Sequence, residues 1–216
     1  MFSTLSANAH LLLSGAQMTL FLSATSAVLA TVLGIILALI QLFGGLLGRA
    51  LVEVFLYIMR GVPLLVLLFS IYYVLPYTGI YIPQLAGGIL IIGLYFSAFM
   101  AEVFRGAILS VPRGQWDAAR ALGMHGHRTL LIAIVPQAVR LAGPPYINTC
   151  IMLVKGTSLV SIIGIWELTL AGRQIVERTL SAFQIFGGVA LLYFIICFTL
   201  SCYGRYLERK LGYAQS

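Results

Sequence analysis

The first 48 residues of the chain contain no aspartate, glutamate, lysine or arginine. Within them, an almost unbroken apolar run extends from about residue 11 to residue 43. A helix needs only about 20 such residues to cross the hydrocarbon core of a membrane. Hydrocarbon offers the backbone no hydrogen-bond partners, so a segment of this length has to be helical. The chain is therefore constrained to fold as helices in lipid.

Four more apolar segments of similar length follow, separated by turn residues such as Pro76 and Gly79. Only 9% of the residues are charged and 61% are hydrophobic, whereas soluble proteins carry about a quarter charged residues. We expect an all-α integral membrane protein in which residues 1–216 form a single transmembrane domain. The five predicted spans are approximately residues 11–43, 51–75, 85–108, 129–155 and 182–203.

The charged residues predict the orientation of the chain. Suppose that the N-terminus lies outside and the C-terminus in the cytoplasm. The outer loop 76–84 then has no charged residue, and the outer loop 156–181 has equal numbers of acidic and basic residues. The cytoplasmic loops and tail then carry most basic residues, as membrane proteins favour, namely Arg49, Arg113, Arg120, Arg128, Arg205, Arg209 and Lys210. The net charge of +7 thus comes from basic residues at the ends of the spans, next to membrane lipid, and no nucleic-acid partner is expected.

A polar, basic insert at residues 112–128 interrupts the apolar sequence. Pro112 ends the third span, Gly114 is the predicted N-cap of a short helix, and Gly123 fits the position just after its C-terminus. Three residues of this helix, Ala118, Ala119 and Leu122, are predicted to form one small apolar face. From the pattern alone, two interpretations stay open: a docking helix for a cytoplasmic partner, and an amphipathic helix on the membrane surface.

The insert resembles the EAA loop of ABC importer permeases, through Asp117-Ala118-Ala119, Gly123 and Pro136. Further motifs resemble the polar amino acid permeases of the His/Glu/Gln/Arg/opine family, in order along nearly the whole chain: Arg60-Gly61-Val62-Pro63, Glu102–Ile108, Pro136-Gln137-Ala138, Lys155–Leu159 and Glu167-Leu168. The chain departs from the family pattern at Asp117 in place of Glu, at Ala133 and Val135 before the proline, and at Gly156.

This resemblance implies a type I ABC importer-like fold in the bacterial cytoplasmic membrane. Two permease subunits, identical or homologous, would form the pathway, with an ABC ATPase dimer beneath and an extracytoplasmic substrate-binding protein above. The cargo would be a polar amino acid or an opine. The resemblance assigns ATPase coupling to residues of the insert: Gln115, Asp117, Ala118, Ala119, Leu122 and Gly123.

The chain carries no GxxxxGK[ST] phosphate-binding loop, so we expect it neither to hydrolyse ATP nor to be an enzyme. ATP and magnesium would be bound by the partner ATPase, and no cofactor or metal is expected in this chain. Two other functions remain open from the sequence. One is a self-sufficient secondary transporter or channel; the other, an intramembrane enzyme, lacks a paired nucleophile and base in the spans.

Charged side chains inside a span cost about 2.5–3.5 kcal/mol each on insertion scales, so they need a partner or a polar cavity. The candidates for the substrate pathway are Arg60, Glu102, Lys155, Thr157, Ser158 and Glu167. Each has a structural alternative. Glu102 is spaced to pair with Arg105, Lys155 could anchor at the membrane interface, and Glu167 could gate or cap a short external helix.

Small residues recur every four positions on the first span, at Ser26, Ala30, Gly34 and Ala38. This spacing permits close helix packing, either within the subunit or between subunits. The three cysteines, by contrast, lie in apolar segments without metal-ligand spacing and are expected to be buried apolar residues.

Overall fold

The computed structural model describes residues 2–210, so Met1 and residues 211–216 of the predicted domain lie outside the described residues. Within this range the chain is helical, without a β-strand. The α-helices are α1 (Phe2–Ala7), α2 (Ala9–Phe43), α3 (Leu46–Gly61), α4 (Leu64–Phe69), α5 (Gln84–Leu109), α6 (Arg113–Ala121), α7 (Val135–Gly156), α8 (Leu168–Thr179) and α9 (Ala182–Lys210).

Short π- and 3₁₀-helical segments extend two of these helices. A π-helical turn (Ser70–Val74) and a 3₁₀ turn (Leu75–Thr78) follow α4. Another π-helical segment (Thr129–Ile134) precedes α7, and a 3₁₀ segment (Thr157–Ile163) follows it. Such departures from regular α-helix recur where a helix bends or serves a function.

Four helical segments are long and apolar enough to cross a membrane: Ala9–Phe43, Gln84–Leu109, Thr129–Ile163 and Ala182–Leu207. They correspond to four of the predicted spans. The predicted span over residues 51–75 differs, because Leu46–Gly61 and Leu64–Thr78 meet at a bend of 104°. Pro63 cannot donate a backbone hydrogen bond and holds the residue before it, Val62, in an extended conformation, which ends α3.

The closest helix packing in the fold joins α2 to α5, which run in the same direction. A Cβ added at Gly34 would lie 2.6 Å from the Cβ of Met100, and one at Gly93 would lie 2.5 Å from a methyl carbon of Leu29. The small residues Ser26, Ala30 and Ala38 are buried on the same face of α2. The predicted small-residue stripe is therefore a contact within the subunit.

The remaining helices pack on this pair. Leu64 and Leu68 of α4 enter a core cluster with Ile92 and Phe96 of α5. Helix α7 lies against α5 and α9, and the short helix α8 lies against α2 and α9. The bundle thus has an α6 end, where α2 and α5 terminate, and an α8 end, where the first half of α2 meets α8.

We predict that Gly34→Ala destabilises the fold, because the added methyl group has no room against Met100. Overpacking typically costs about 1–3 kcal/mol, which lowers the midpoint of thermal unfolding by roughly 2–10 °C in a chain of this size. The control is Gly106→Ala on α5, where an added Cβ has no neighbour within 4 Å. Equal unfolding midpoints for the two purified variants would contradict this packing.

Candidate functional site

Helix α6 forms within the predicted polar insert, with a different start. Pro112 is its N-cap, and the carbonyl of Pro112 accepts a hydrogen bond from the Gln115 N–H at 2.9 Å. The prediction of Gly114 as N-cap is therefore wrong, because extended Pro112 already starts the helix one residue before Arg113. The predicted end is confirmed. Gly123 has a φ of +76°, and its N–H and that of Met124 donate to carbonyls of the last turn.

The two faces of α6 have different surroundings. Trp116 packs against a core cluster that includes Ile134 and Ala138, and Ala119 on the same face is only 4% exposed. Asp117 and Ala118 are exposed, and Leu122 is 81% exposed. The predicted face of Ala118, Ala119 and Leu122 is thus corrected. Successive residues lie about 100° apart on a helix, which turns Ala119 into the bundle while Ala118 faces outward.

Hydrogen bonds fasten α6 to the start of α7. The Gln137 amide donates to the side-chain oxygen of Gln115 at 3.2 Å and to the carbonyl of Ala133 at 2.8 Å. The Thr129 hydroxyl donates to the carbonyl of Met124 at 2.8 Å. Helix α6 and the segment that follows it are therefore in direct contact with the π-helical segment and the first turn of α7.

Two interruptions of regular helix lie side by side half-way along the bundle. A Cβ at Gly156 would meet the Phe96 ring at 3.1 Å and a methyl carbon of Leu64 at 3.5 Å. Leu64 follows the break between α3 and α4, Gly156 precedes the change from α7 to 3₁₀ helix, and Phe96 is near the midpoint of α5. Broken helices at mid-depth are typical of transporter substrate sites. Phe96 also explains the departure of Gly156 from the family pattern, because it fills the space a side chain would need.

Lys155 is the cationic residue at this interruption. Its side chain is exposed, and no hydrogen bond or ion pair of its ammonium group is found among the described side chains. Thr157 is buried and its hydroxyl donates to the carbonyl of Val154, while the Ser158 hydroxyl donates to the carbonyl of Lys155, both at 2.7 Å. Of the three neighbouring candidates, Lys155 is the one whose donors are free for a ligand.

Glu167 is fully buried at the other candidate position, between the membrane-spanning segments. Its carboxylate caps α8 by accepting the N–H groups of Thr169 (2.9 Å) and Leu170 (2.8 Å). It also accepts the hydroxyls of Tyr193 of α9 at 2.7 Å and Thr19 of α2 at 3.4 Å. The helix-capping alternative is therefore what the structure contains, and contact with a substrate ammonium group stays a prediction.

Burial raises the pKa of the Glu167 carboxyl above its ordinary value, and the hydrogen bonds from Thr169, Tyr193 and Leu170 oppose this effect. The cause is that removal from water disfavours the charged form. The hydrogen-bond donors thus favour the ionised form of the carboxyl, whereas its burial disfavours that form. The hydrogen bonds of Glu167 are therefore structurally important.

Residues to which the sequence assigned no site role complete the Glu167 network, although Gly15 and Thr19 of the first span fit the family resemblance. Thr19 also accepts the Leu168 N–H at 3.1 Å. One turn earlier on α2, a Cβ at Gly15 would lie 2.9 Å from the Cβ of Ala171, so α8 rests directly on the α2 backbone. The spacing of Gly15 and Thr19 by four residues marks one face of α2, whereas no local pattern points to Tyr193.

Arg60 and Glu102 form a separate cluster. Arg105 donates to Glu102 at 2.8 Å, as its spacing predicts, and the Arg60 guanidinium lies 3.7 Å from the other carboxylate oxygen. Glu102 is six residues beyond Phe96, or roughly 9 Å nearer the α6 end. The structure therefore divides the predicted pathway residues into three places: Arg60 with Glu102, Lys155 with Thr157 and Ser158, and Glu167. Among residues 2–210 no group of three potential metal ligands is found.

Comparison with known proteins agrees with this architecture. The family model described as "Binding-protein-dependent transport system inner membrane component" matches residues 30–213. The chain is 35% identical over 203 residues to the glutamine transport system permease protein GlnP of Escherichia coli K12, covering 93% of both chains. It is 38% identical over 189 residues to the L-cystine transport system permease protein TcyB of Bacillus subtilis, covering 85% of this chain and 81% of that one.

Two solved structures share the fold. The crystal structure of an amino acid ABC transporter with histidines has a TM-score of 0.92 and 30% identity, covering 97% of this chain and 98% of the other. The MetNI methionine ABC transporter in an inward-facing conformation has a TM-score of 0.78 at 22% identity, covering 94% and 97% of the two chains. The arrangement of α2 to α9 is thus that of an ABC importer permease.

We predict that Glu167→Ala destabilises the α8 end of the bundle, because it leaves buried N–H and hydroxyl donors without their acceptor. Loss of a helix cap and of buried hydrogen bonds costs at least about 2 kcal/mol. The matched control is Glu177→Ala, which removes an exposed carboxylate from the same helix. Limited proteolysis and thermal unfolding of both variants test the difference. An unfolding midpoint for Glu167→Ala as high as that of the control would show that the network is dispensable.

Proposed function

Since the chain belongs to the family of binding-protein-dependent transport system inner membrane components, it is an inner-membrane permease subunit, and we propose that it imports a polar amino acid. Energy comes from a separate ABC ATPase. The relatives named for glutamine and L-cystine transport support an amino acid as cargo. Which amino acid is imported depends on the binding protein that delivers it.

The complete transporter in this proposal contains two permease subunits, identical or homologous. The N-terminus lies outside and the C-terminus in the cytoplasm, which places α6 on the cytoplasmic side, in keeping with the basic residues of the 109–128 loop. An ABC ATPase dimer, which binds ATP and magnesium, docks on the two α6 helices. A substrate-binding protein docks at the α8 end.

Helix α6 is the observation that carries the proposal. It presents Gln115, Asp117, Ala118 and Leu122 to solvent while Trp116 holds its other face on the bundle. The turn at Gly123 and the side-chain hydrogen bond to α7 hold this helix in a fixed position. A fixed position favours a docking role over that of a surface helix with no partner. A partner that moves α6 thereby moves the start of α7, the helix that ends at the mid-depth interruption.

Lys155 is assigned to the carboxylate of the amino acid. It lies where α7 changes to 3₁₀ helix, next to Gly156, and its ammonium group has no hydrogen-bond or ion-pair partner among the described side chains. A charge-assisted hydrogen bond to a carboxylate is about twice as strong as a neutral one. Thr157 and Ser158 border this position, while roles of Arg60, Glu102 and Glu167 along the pathway remain further predictions.

A self-sufficient secondary transporter or channel is the alternative. It is not favoured, because the matched relatives and solved structures are permeases of ABC transporters. The two functions differ in energy source, so reconstitution separates them. In vesicles containing the permease, ATPase and binding protein, we expect uptake of radiolabelled amino acid only when ATP is present on the side of the membrane where the ATPase is bound. Concentrative uptake by the permease alone would overturn the proposal.

We predict that Gly123→Val weakens the contact between the permease and the ATPase. A β-branched residue at a φ of +76° strains the turn that ends α6, at a cost of about 1–3 kcal/mol. Uptake and binding-protein-stimulated ATP hydrolysis are therefore expected to fall together. Gly114→Ala is the control, since Gly114 lies on the same helix with open space around it. Full stimulation in Gly123→Val would count against coupling through this helix.

Lys155→Gln is predicted to weaken transport without disturbing assembly. Loss of a hydrogen bond to a charged group costs about 1.5–3 kcal/mol, which corresponds to a fall of roughly tenfold or more in uptake at low substrate concentration. Arg173→Gln, which removes an exposed cation on α8, is the matched control. Both variants should copurify with the ATPase in normal amounts. Unaltered uptake for every amino acid tested would remove Lys155 from the pathway.

A further inference from the structure

A polar cavity of about 290 Å³ lies between α2, α3 and α5, close to the α6 end. Its volume is at the lower end of the roughly 300–1,000 Å³ typical of ligand sites. The lining is unusually polar for a membrane protein and comprises Gln41, Glu53, Leu56, Tyr57, Arg60, Glu102 and Arg105. The proposed function assigns no ligand to Gln41, Glu53 or Arg105, and it keeps Arg60 and Glu102 as predicted pathway residues.

Hydrogen-bonding groups in the cavity exceed the partners available in the chain. Arg60 and Arg105 share a single carboxylate, that of Glu102. Within the described residues, the buried Nε of Arg105 and the buried Oε1 of Gln41 have no partner. Both of these atoms are enclosed by the protein, so the groups that a ligand can reach are the outer parts of the guanidinium groups: the Arg60 side chain is 48% exposed and the Arg105 side chain 35%. These exposed donors can bind a further anionic group.

Glu53 supplies a second, separate charge. It lies seven residues before Arg60, on the same face of α3, and has no ion pair among the described side chains. The lining thus contains two guanidinium groups and a carboxylate that has no ion pair among the described side chains. This arrangement suits a ligand that carries an anionic group and an ammonium group a short distance apart.

The depth of the cavity is that of a lipid headgroup. Gln41 is two residues from the end of α2, and Arg105 is four residues from the end of α5, or roughly 6 Å along the helix. Helix α3 leaves the bundle direction at the 104° bend. Its exposed residues next to the cavity are mostly apolar or aromatic, as in helices at a membrane interface, and include Leu51, Val54, Tyr57 and Ile58.

We propose that this cavity binds the headgroup of a zwitterionic phospholipid, with Arg60 and Arg105 holding the phosphate and Glu53 holding a primary ammonium group. Basic pockets between helices near the cytoplasmic surface are suited to lipid phosphates. A free amino acid offers similar charges, but it lacks acyl chains to cover the exposed apolar residues of α3. The bound headgroup braces α3 just before the bend that leads into α4.

The test uses the intact transporter complex, delipidated in detergent and titrated with single lipids under native mass spectrometry. We expect retention of phosphatidylethanolamine to exceed that of phosphatidylcholine, whose quaternary ammonium cannot donate a hydrogen bond to Glu53. Arg60→Gln and Glu53→Gln should each reduce retention of phosphatidylethanolamine about fivefold, the equivalent of roughly 1 kcal/mol per charge near the membrane surface.

Arg49→Gln is the matched control. Arg49 lies on the same helix and donates to the carbonyl of Leu42, outside the cavity. Glu53→Gln removes no ion pair found within the described chain, so it decides the outcome if Arg60→Gln fails to fold. Retention of phosphatidylethanolamine unchanged in Glu53→Gln, or displaced by millimolar free amino acid, would overturn the proposal. Because lipid retention is read without transport, failure of the importer assignment leaves this result unaffected.

Discussion

The contact between α2 and α5 is the constraint on which the rest of the structure depends. In lipid, helices gain no hydrophobic free energy by associating, so their association depends on close van der Waals packing of small residues. At Gly34 and Gly93 the two helices approach so closely that a Cβ atom would have no room. Helix α4 and helix α7 then pack on α5, and α8 packs on α2 through Gly15. The paired helices α2 and α5 thus provide the surface on which the other helices pack.

Apart from Lys155, the candidate pathway residues on this scaffold have partners within the chain. Glu167 is enclosed by four donors from α2, α8 and α9, which ties the α8 end together. Lys155 is left unpaired beside two interrupted helices at mid-depth. Between that point and the insert, Gln137 joins α6 to the start of α7. One helix, α7, thus connects the contact with α6 to the position proposed for the substrate carboxylate.

Local sequence patterns predicted much of this arrangement. Four spans follow from the lengths of the apolar runs, and the left-handed turn at Gly123 follows from its position after a short polar helix. The 104° bend within the expected second span was not predicted, although Pro63 is the local signal that marks it. The burial of Ala119 was missed because the sequence does not say which side of α6 faces the bundle. Tyr193 and Glu53 acquire their roles from residues far away in sequence, which no local pattern reports.

The central claim is that a separate ATPase drives this permease through the outward face of α6. Site-specific cross-linking in the assembled complex tests it most directly, with a photoreactive residue placed at position 118 or at position 119. The claim predicts cross-links to the ATPase subunit from position 118, where the side chain is exposed, and none from position 119, which is buried against the bundle. Cross-links of equal yield from both positions, or none from position 118, would contradict it.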